Sequence, residues 1–458
     1  MSRRPDNVNR GSARTIRLGA GAGFAGDRID PAADLARSAE LDYLVFEVLG
    51  ERTIASANAQ RISGAGHGYD PLLRRRLETT LPDCRRHGTT IITNGGAADP
   101  VAAGALALDI AREHGVAGTR VGVISGDEVL DAVRRADPVL WETGRPLSSE
   151  SDELVSANAY LGAAPVAEAL AGGADVVIAG RLADPALYLG ALAHEHGWDL
   201  AGDPTLLGQG TVVGHLLECA GQLTGGYFAD PVTKPVPGLD RLGFPFADVA
   251  ADGAAVFSKL PGSGGLLDTR TVTEQLLYEV GDPSAYVTPD VVADFSGVTL
   301  DQLGADRVRV TGGAGAARPD ELKVTLGFRG GWLGEGQISY AGPRALARAE
   351  LAADIVRSRL VQVHGLDPEA VLVELIGAGA AFRGLADAGD PVEVRLRVAA
   401  RVPDRIAAEA VGWEVESLYT NGPAAGGGAR KHVQEVLAIR SCTLPRALVH
   451  THVSIEEV

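Results

Sequence analysis

In the first half of the chain, short apolar runs alternate with longer amphipathic stretches rich in Ala and Leu. The runs at 15–18, 43–46, 90–93, 120–124 and 176–179 are predicted as strands and the stretches between them as helices. Alternation at this spacing argues for a parallel sheet with helices on its faces. A long helix is predicted over 211–223, ending at Gly225 and Gly226. The texture then changes. Residues 307–310, 323–328 and 337–340 read as alternating strands, 343–363 as a helix, 370–375 and 392–399 as strands, 403–417 as a helix and 433–443 as a strand. The fold class expected is therefore α/β, an N-terminal parallel sheet with flanking helices followed by a C-terminal α+β domain with a mixed sheet. The boundary is set where Pro231, Pro235, Pro237 and Pro245 interrupt the periodicity. This gives a disordered tail at 1–13, a parallel α/β domain with a glycine-rich loop at 14–229 and an α+β domain at 230–458.

Each predicted strand of the first half is followed by a polar, glycine-rich segment, at 19–28, 47–52, 94–100, 125–127 and 180–185. Ligands of parallel α/β sheets bind at this carboxyl edge, so the five segments are expected to converge. The first holds Gly19, Gly21, Gly23 and Gly26, then Asp27 and Arg28, with Asp30 and Pro31 suited to open a helix. Gly21, Gly23 and Gly26 fit a dinucleotide fingerprint, with Glu47 about 20 residues on as its acidic partner. A glycine loop around another anionic ligand and a structural turn are the other readings. The acidic residues Asp27 and Asp30 weigh against a pyrophosphate. The Ala-Asp-Pro shared by 94–100 and 180–185 is read as a helix cap, not as a repeat.

The 458 residues exceed one ordinary core, and a net charge of −17 excludes nucleic acid and anionic membranes as partners drawn by the average field. Cys84, Cys219 and Cys442 are too widely spaced for a zinc ribbon or disulfide framework. No apolar run reaches membrane-spanning length and the start lacks a signal-peptide core, so a cytoplasmic location is expected.

His215, Glu218, Cys219 and Gln222 fall on one stripe of the predicted helix 211–223. They could serve as a base with its orienting carboxylate, hold a metal, or be a satisfied polar cluster. Glu47, Glu51 and Arg52 follow the second strand, where one neutralised carboxylate would leave the other with a raised pKa. Arg181 and Asp184 after the fifth strand admit the same reading, or that of a plain ion pair. In the second half, 419–431 reads as a site loop, with Asn421 and Arg430 as ligand contacts beside Lys431. This loop is expected to fold over the sheet-edge cleft. No nucleophile elbow, zincin motif or P-loop is present.

The runs at 19–28, 42–47 with 51–53, 156–162, 210–222, 273–279 and 418–423 together resemble the acyclic terpene utilisation (AtuA) family, and they span nearly the whole chain. Larger members of that family carry a further ferredoxin-like domain, which this chain, ending at Val458, is expected to lack. The resemblance implies a place in the breakdown of citronellol- and geraniol-type terpenes as coenzyme A thioesters. The reading that follows is an enzyme of branched or terpenoid acyl-CoA catabolism, a lyase or hydro-lyase acting on a β-hydroxyacyl-CoA or related carboxylated substrate. Glu47, His215, Glu218 and Cys219 are its expected catalytic residues. Gly21, Gly23, Gly26, Asp27, Arg28, Arg52, Asn94, Arg181, Asn421 and Arg430 are its expected substrate contacts. The cofactor is left open, with coenzyme A entering as part of the substrate; no metal ligand is assigned, and the partners expected are a small molecule and further copies of the chain. A nucleotide-dependent oxidoreductase and a non-catalytic acyl-CoA binding subunit are the alternatives.

Overall fold

The computed structural model describes residues 15–382 and 389–458; the tail expected at 1–13 lies outside the described residues. The first half contains β1 (Ile16–Ala22), α1 (Asp30–Ser38), β2 (Tyr43–Phe46), α2 (Glu51–Ser63), α3 (Leu73–His87), β3 (Thr90–Thr93), α4 (Pro100–Glu113), β4 (Arg120–Ser125), α5 (Leu130–Ala136), β5 (Leu154–Ala159), α6 (Ala164–Ala171), β6 (Val176–Ala179), α7 (Ala186–His196) and α8 (Pro204–Glu218). There follow β7 (Pro245–Val249), β8 (Ala255–Lys259), α9 (Thr269–Leu277), β9 (Tyr286–Val287), β10 (Val292–Asp294), β11 (Thr299–Gly304), β12 (Arg307–Thr311) and β13 (Ala314–Ala316). The remainder is β14 (Glu321–Ala341), α10 (Ala345–Gln362), β15 (Val371–Ile376), β16 (Glu393–Val402), α11 (Arg405–Asn421), β17 (Gly426–Pro445) and β18 (His452–Glu457). No helix among the described residues is long and apolar enough to cross a membrane.

The five strands predicted in the first half, β1, β2, β3, β6 and β4, lie side by side and parallel. All four residues of β2 and of β6 are buried, which requires cover on both faces of the sheet. The sheet does not stop there. It has ten strands in the order β11-β12-β8-β7-β1-β2-β3-β6-β4-β18, with β7 antiparallel to β1 and β18 antiparallel to β4. It is therefore mixed, not parallel throughout, because the chain re-enters it three times after residue 230, as β7–β8, β11–β12 and β18.

Two compact units result: one holds the residues up to Glu150, Val155–Leu326 and Ile439–Val458, the other Ser151–Leu154 and Gly327–Ala438. The prolines at 231–245 mark a connection from α8 to β7, and the units do not divide there. In the second unit β14 pairs antiparallel with β16 from Trp332↔Val402 to Ala341↔Glu393, and β16 pairs with β15. Its core joins Ile338, Tyr340, Leu396 and Val398 of the sheet to Val356, Leu360, Val411 and Val415 of α10 and α11.

Two expected loops are shorter than the glycines suggest. Gly19 and Gly21 lie inside β1, where a Cβ on Gly21 would stand 2.7 Å from the Phe46 ring. Tyr419 and Asn421 close α11 and Gly426 opens β17, so the segment read as a loop over 419–431 is reduced to four residues, 422–425.

Candidate functional site

Helix α8 is buried on every side from Leu207 to Glu218. Its polar side chains must therefore find partners inside the protein. His215 does so twice: Nδ1 lies 2.9 Å from Glu218 Oε1, and Nε2 lies 3.0 Å from the Gln275 carbonyl oxygen, to which it donates. Gln275 Nε2 in turn donates to the His215 carbonyl at 3.1 Å. Glu218 Oε2 has no hydrogen-bond partner. Helix α8 ends at Glu218; Cys219 is its C-cap and Gln222 sits in a separate 3-10 turn, so the four-residue stripe is two helical pieces.

At the carboxyl end of β2, Glu47 is buried and its Oε1 accepts from Asn94 Nδ2 at 2.8 Å and Leu49 N at 2.9 Å. Asn94 is fixed by accepting from Val48 N at 2.8 Å, so its part is to position Glu47. After β6, Arg181 pairs with Asp184 and lies over the Tyr160 ring at 4.1 Å, with Nε and Nη1 unpartnered. Asp184 leaves the cap of α7 unfilled, whereas Asp99 caps α4 by accepting from Ala102 N. Glu51, in the first turn of α2, accepts from Lys323 Nζ at 2.8 Å and the Tyr160 hydroxyl at 2.6 Å. The neutralising cation there is Lys323; Arg52 pairs with neither carboxylate.

These groups meet in a cleft of about 790 Å³ whose wall includes Gly23, Asp27, Arg28, Glu47, Glu51, Arg52, Asp184, Glu218 and Cys219. His215 borders an inner chamber of about 270 Å³ that shares Glu51, Asp184 and Glu218 with the cleft. Asn94 and Arg181 lie behind the wall; Asn421 and Arg430 are exposed residues of the second unit. Gly23 is required for packing, since a Cβ there would strike the Cys219 backbone. Its N–H is taken by Asp27 Oδ2 at 2.9 Å, and Arg76 Nη2 donates to Ala25 O at 2.8 Å, so the loop is closed on itself. Gly26 packs against the Phe24 ring. The dinucleotide cradle is thus not formed: two of its glycines are in or against packed side chains and a loop N–H is already engaged.

Burial sets the electrostatics. It holds Glu47 well above the ordinary carboxyl range, reinforced by the Asp184 charge and opposed by Arg181. Burial raises Glu218 as well, opposed by His215, and raises Asp184 against the pull of Arg181. Burial acts on Glu51 too, but the hydrogen bonds from Lys323 and Tyr160 outweigh it and hold that carboxyl down at about 2. The Cys219 thiol is pushed up by burial and then by the Glu218 charge, which leaves it neutral and a poor nucleophile. The cleft thus carries two carboxyls raised by burial, Glu47 and Glu218, of which His215 opposes the shift at Glu218, and a third, Glu51, fixed as carboxylate.

Tyr160, Lys323 and Gln275 were not singled out from the sequence. They come from distant segments and only folding brings them to this edge, although Tyr160 and Gln275 lie within the runs at 156–162 and 273–279. Ala220, Tyr227 and Glu279 around the cleft have φ of 42°, 60° and 58°, strained for residues with a side chain. Among the described residues, no group of three or more His, Cys, Asp or Glu side chains is placed to hold a metal ion.

No curated protein and no solved structure matches the chain. The family model described as acyclic terpene utilisation family protein AtuA matches residues 16–455, nearly its whole length, and the chain belongs to that family.

Proposed function

We propose that the protein is an enzyme of terpenoid breakdown that performs a proton-transfer step, a lyase or hydro-lyase reaction, on a branched β-hydroxyacyl-CoA or related carboxylated thioester. Membership of a terpene utilisation family supports the substrate class. The observation that carries the chemistry is the pair of buried carboxyl groups, Glu47 and Glu218, on one cleft wall, with one Glu218 oxygen tied to His215 and the other unpartnered. Elimination or carbon–carbon cleavage at a β-hydroxyacyl unit needs a group that takes a proton and another that delivers one. Glu47, biased towards its protonated form, is the donor. Glu218 is the acceptor, with His215 sharing the proton through Nδ1 while Nε2 stays committed to Gln275.

The test is turnover of a panel of branched 3-hydroxyacyl-CoA thioesters by wild type, Glu47→Gln and Glu218→Gln. Each substitution is expected to lower kcat by about 10²–10⁴-fold, the usual contribution of a positioned acid or base, with KM changed little. Turnover undiminished in both variants would remove the acid–base assignment. Thioester binding without turnover in the wild type would make the chain a binding subunit.

A further inference from the structure

A second cavity of about 810 Å³ adjoins the cleft and shares Gln222, Tyr227, Tyr278 and Glu279 with it. Gln222 and Gln275 line it, each with a side-chain carbonyl oxygen that lacks a hydrogen-bond partner. Buried acceptors left in this state call for a donor. Lys234 and Arg270 line it too, set over the Phe228 ring at 4.5 Å and 6.0 Å from its centre. Lys234 is held on a tight turn in which Asp230 N donates to Lys234 O and Lys234 N donates to Asp230 O. This turn begins the proline-interrupted stretch, which thereby gains a role as a cavity wall. At the rim, Tyr227 is 85% exposed on a left-handed backbone. A bulky residue pays strain for that conformation, and such strain gathers at ligand sites.

We propose that this outer cavity holds the carrier arm of the thioester, a chain with amide N–H donors in its middle and phosphates at its far end. The inference rests on the acyl-CoA reading above and places the rest of that molecule. The amides meet Gln222 and Gln275, the phosphates meet Lys234 and Arg270, and the Tyr227 ring lies beneath a planar base. Both cations already have acidic neighbours, Lys234 with Glu274 at 2.9 Å and Arg270 with Asp268 at 2.7 Å. The Lys234–Glu274 pair is solvent-exposed and contributes little, so Lys234 is readily recruited by a phosphate, while Arg270 keeps two bonds to half-buried Asp268 and joins the phosphate through its remaining nitrogen.

The experiment is calorimetric titration of the full chain with three probes: coenzyme A, pantetheine, which lacks the nucleotide phosphates, and adenosine 3′,5′-bisphosphate, which lacks the arm. Lys234→Ala combined with Arg270→Ala is expected to weaken coenzyme A and the bisphosphate by about tenfold or more, as loss of charged hydrogen bonds does, and to leave pantetheine unchanged. Gln222→Leu is expected to weaken pantetheine and coenzyme A but not the bisphosphate. Lys234→Glu, a single exposed change, provides a second variant and is expected to weaken the phosphate probes more than Lys234→Ala. Coenzyme A affinity equal in wild type and these variants, or no coenzyme A binding to wild type at millimolar concentration, overturns the assignment. Normal, variant-sensitive coenzyme A binding with no turnover of any thioester refutes the proposed reaction instead and leaves the subsite standing.

Discussion

A histidine whose two ring nitrogens are both bonded within the protein has nothing left to offer a substrate directly, and His215 is in that state. In the reaction proposed above, the stripe read as a base with its orienting carboxylate therefore runs in the reverse sense: Glu218 lines the cleft and His215 is the group that positions it. His215→Ala is expected to act through Glu218. The imidazole holds the Glu218 pKa down against burial, so its removal should raise that pKa and move the acid limb of the kcat profile to higher pH. An unaltered pH profile, with only the melting temperature lowered, would reduce His215 to a packing role. Gly23 requires a similar change of reading. It is expected from the sequence as a substrate contact, but a side chain there would run into the end of α8. Gly23→Val should lower the stability of the ligand-free protein by roughly 1–3 kcal/mol, the usual range for overpacking, seen as a reduced melting temperature. An unchanged melting temperature together with lost ligand affinity would restore the cradle.

At the level of elements, the parallel strands were legible because strands buried on both faces leave short, nearly continuous apolar runs between polar loops. β18 was not, since an edge strand spelling His-Val-Ser-Ile-Glu-Glu has only Val453 and Ile455 to mark it. β14 was read as two strands because Arg329-Gly-Gly-Trp-Leu-Gly-Glu-Gly336 interrupts the alternation, yet backbone pairing with β16 continues through Trp332, Leu333 and Gly334. The same blindness to backbone pairing made Gly426 to Gly428 look like loop when they begin β17. At the site, Glu47 and Arg181 were legible from their places after strands and Glu218 from the polar stripe of the helix expected over 211–223, whereas Lys323 and Gln275 depended on long-range packing. The loop after β1 shows how elements support one another. Arg76 of α3, 1% exposed, pairs with buried Asp70 and donates to Ala25 O. Arg76→Met leaves the Asp70 charge buried and unpaired, which should cost about 3–5 kcal/mol. Urea unfolding measures this, and a loss below about 1 kcal/mol would mean that Asp70 simply takes up a proton or reaches water. Asp99→Ala, which removes the cap of α4, should cost about 1 kcal/mol in the same assay.

For the molecule as a whole, the buried acids predict the pH at which it is most stable. Burial raises Glu47, Asp127, Asp184 and Glu218 above their ordinary values and pushes Asp290 up to about 6. His215 is also raised: burial lowers it, but the Glu218 charge and hydrogen bond outweigh that. For every one of these groups the folded state binds the proton more tightly than the unfolded chain. Their stabilisation is complete below the unfolded values, about 4 for the carboxyls and about 6.5 for histidine, and is lost as pH rises through the folded ones. Glu51 runs the other way: held down at about 2, it stabilises above the ordinary carboxyl value and loses that contribution only in strong acid. The melting temperature should therefore fall steadily as the pH is raised from about 5 to about 9, with Glu47→Gln flattening the slope because an amide has no charge to bury. General repulsion in a chain of net charge −17 would also destabilise it at high pH, but between exposed groups. Repeating the measurement at about 1 M salt, where the screening length is about 3 Å, separates the two. A slope that persists in salt and is reduced by Glu47→Gln belongs to the buried cluster; a slope that salt abolishes belongs to the surface, and the acids of the cleft would then have ordinary affinities for protons.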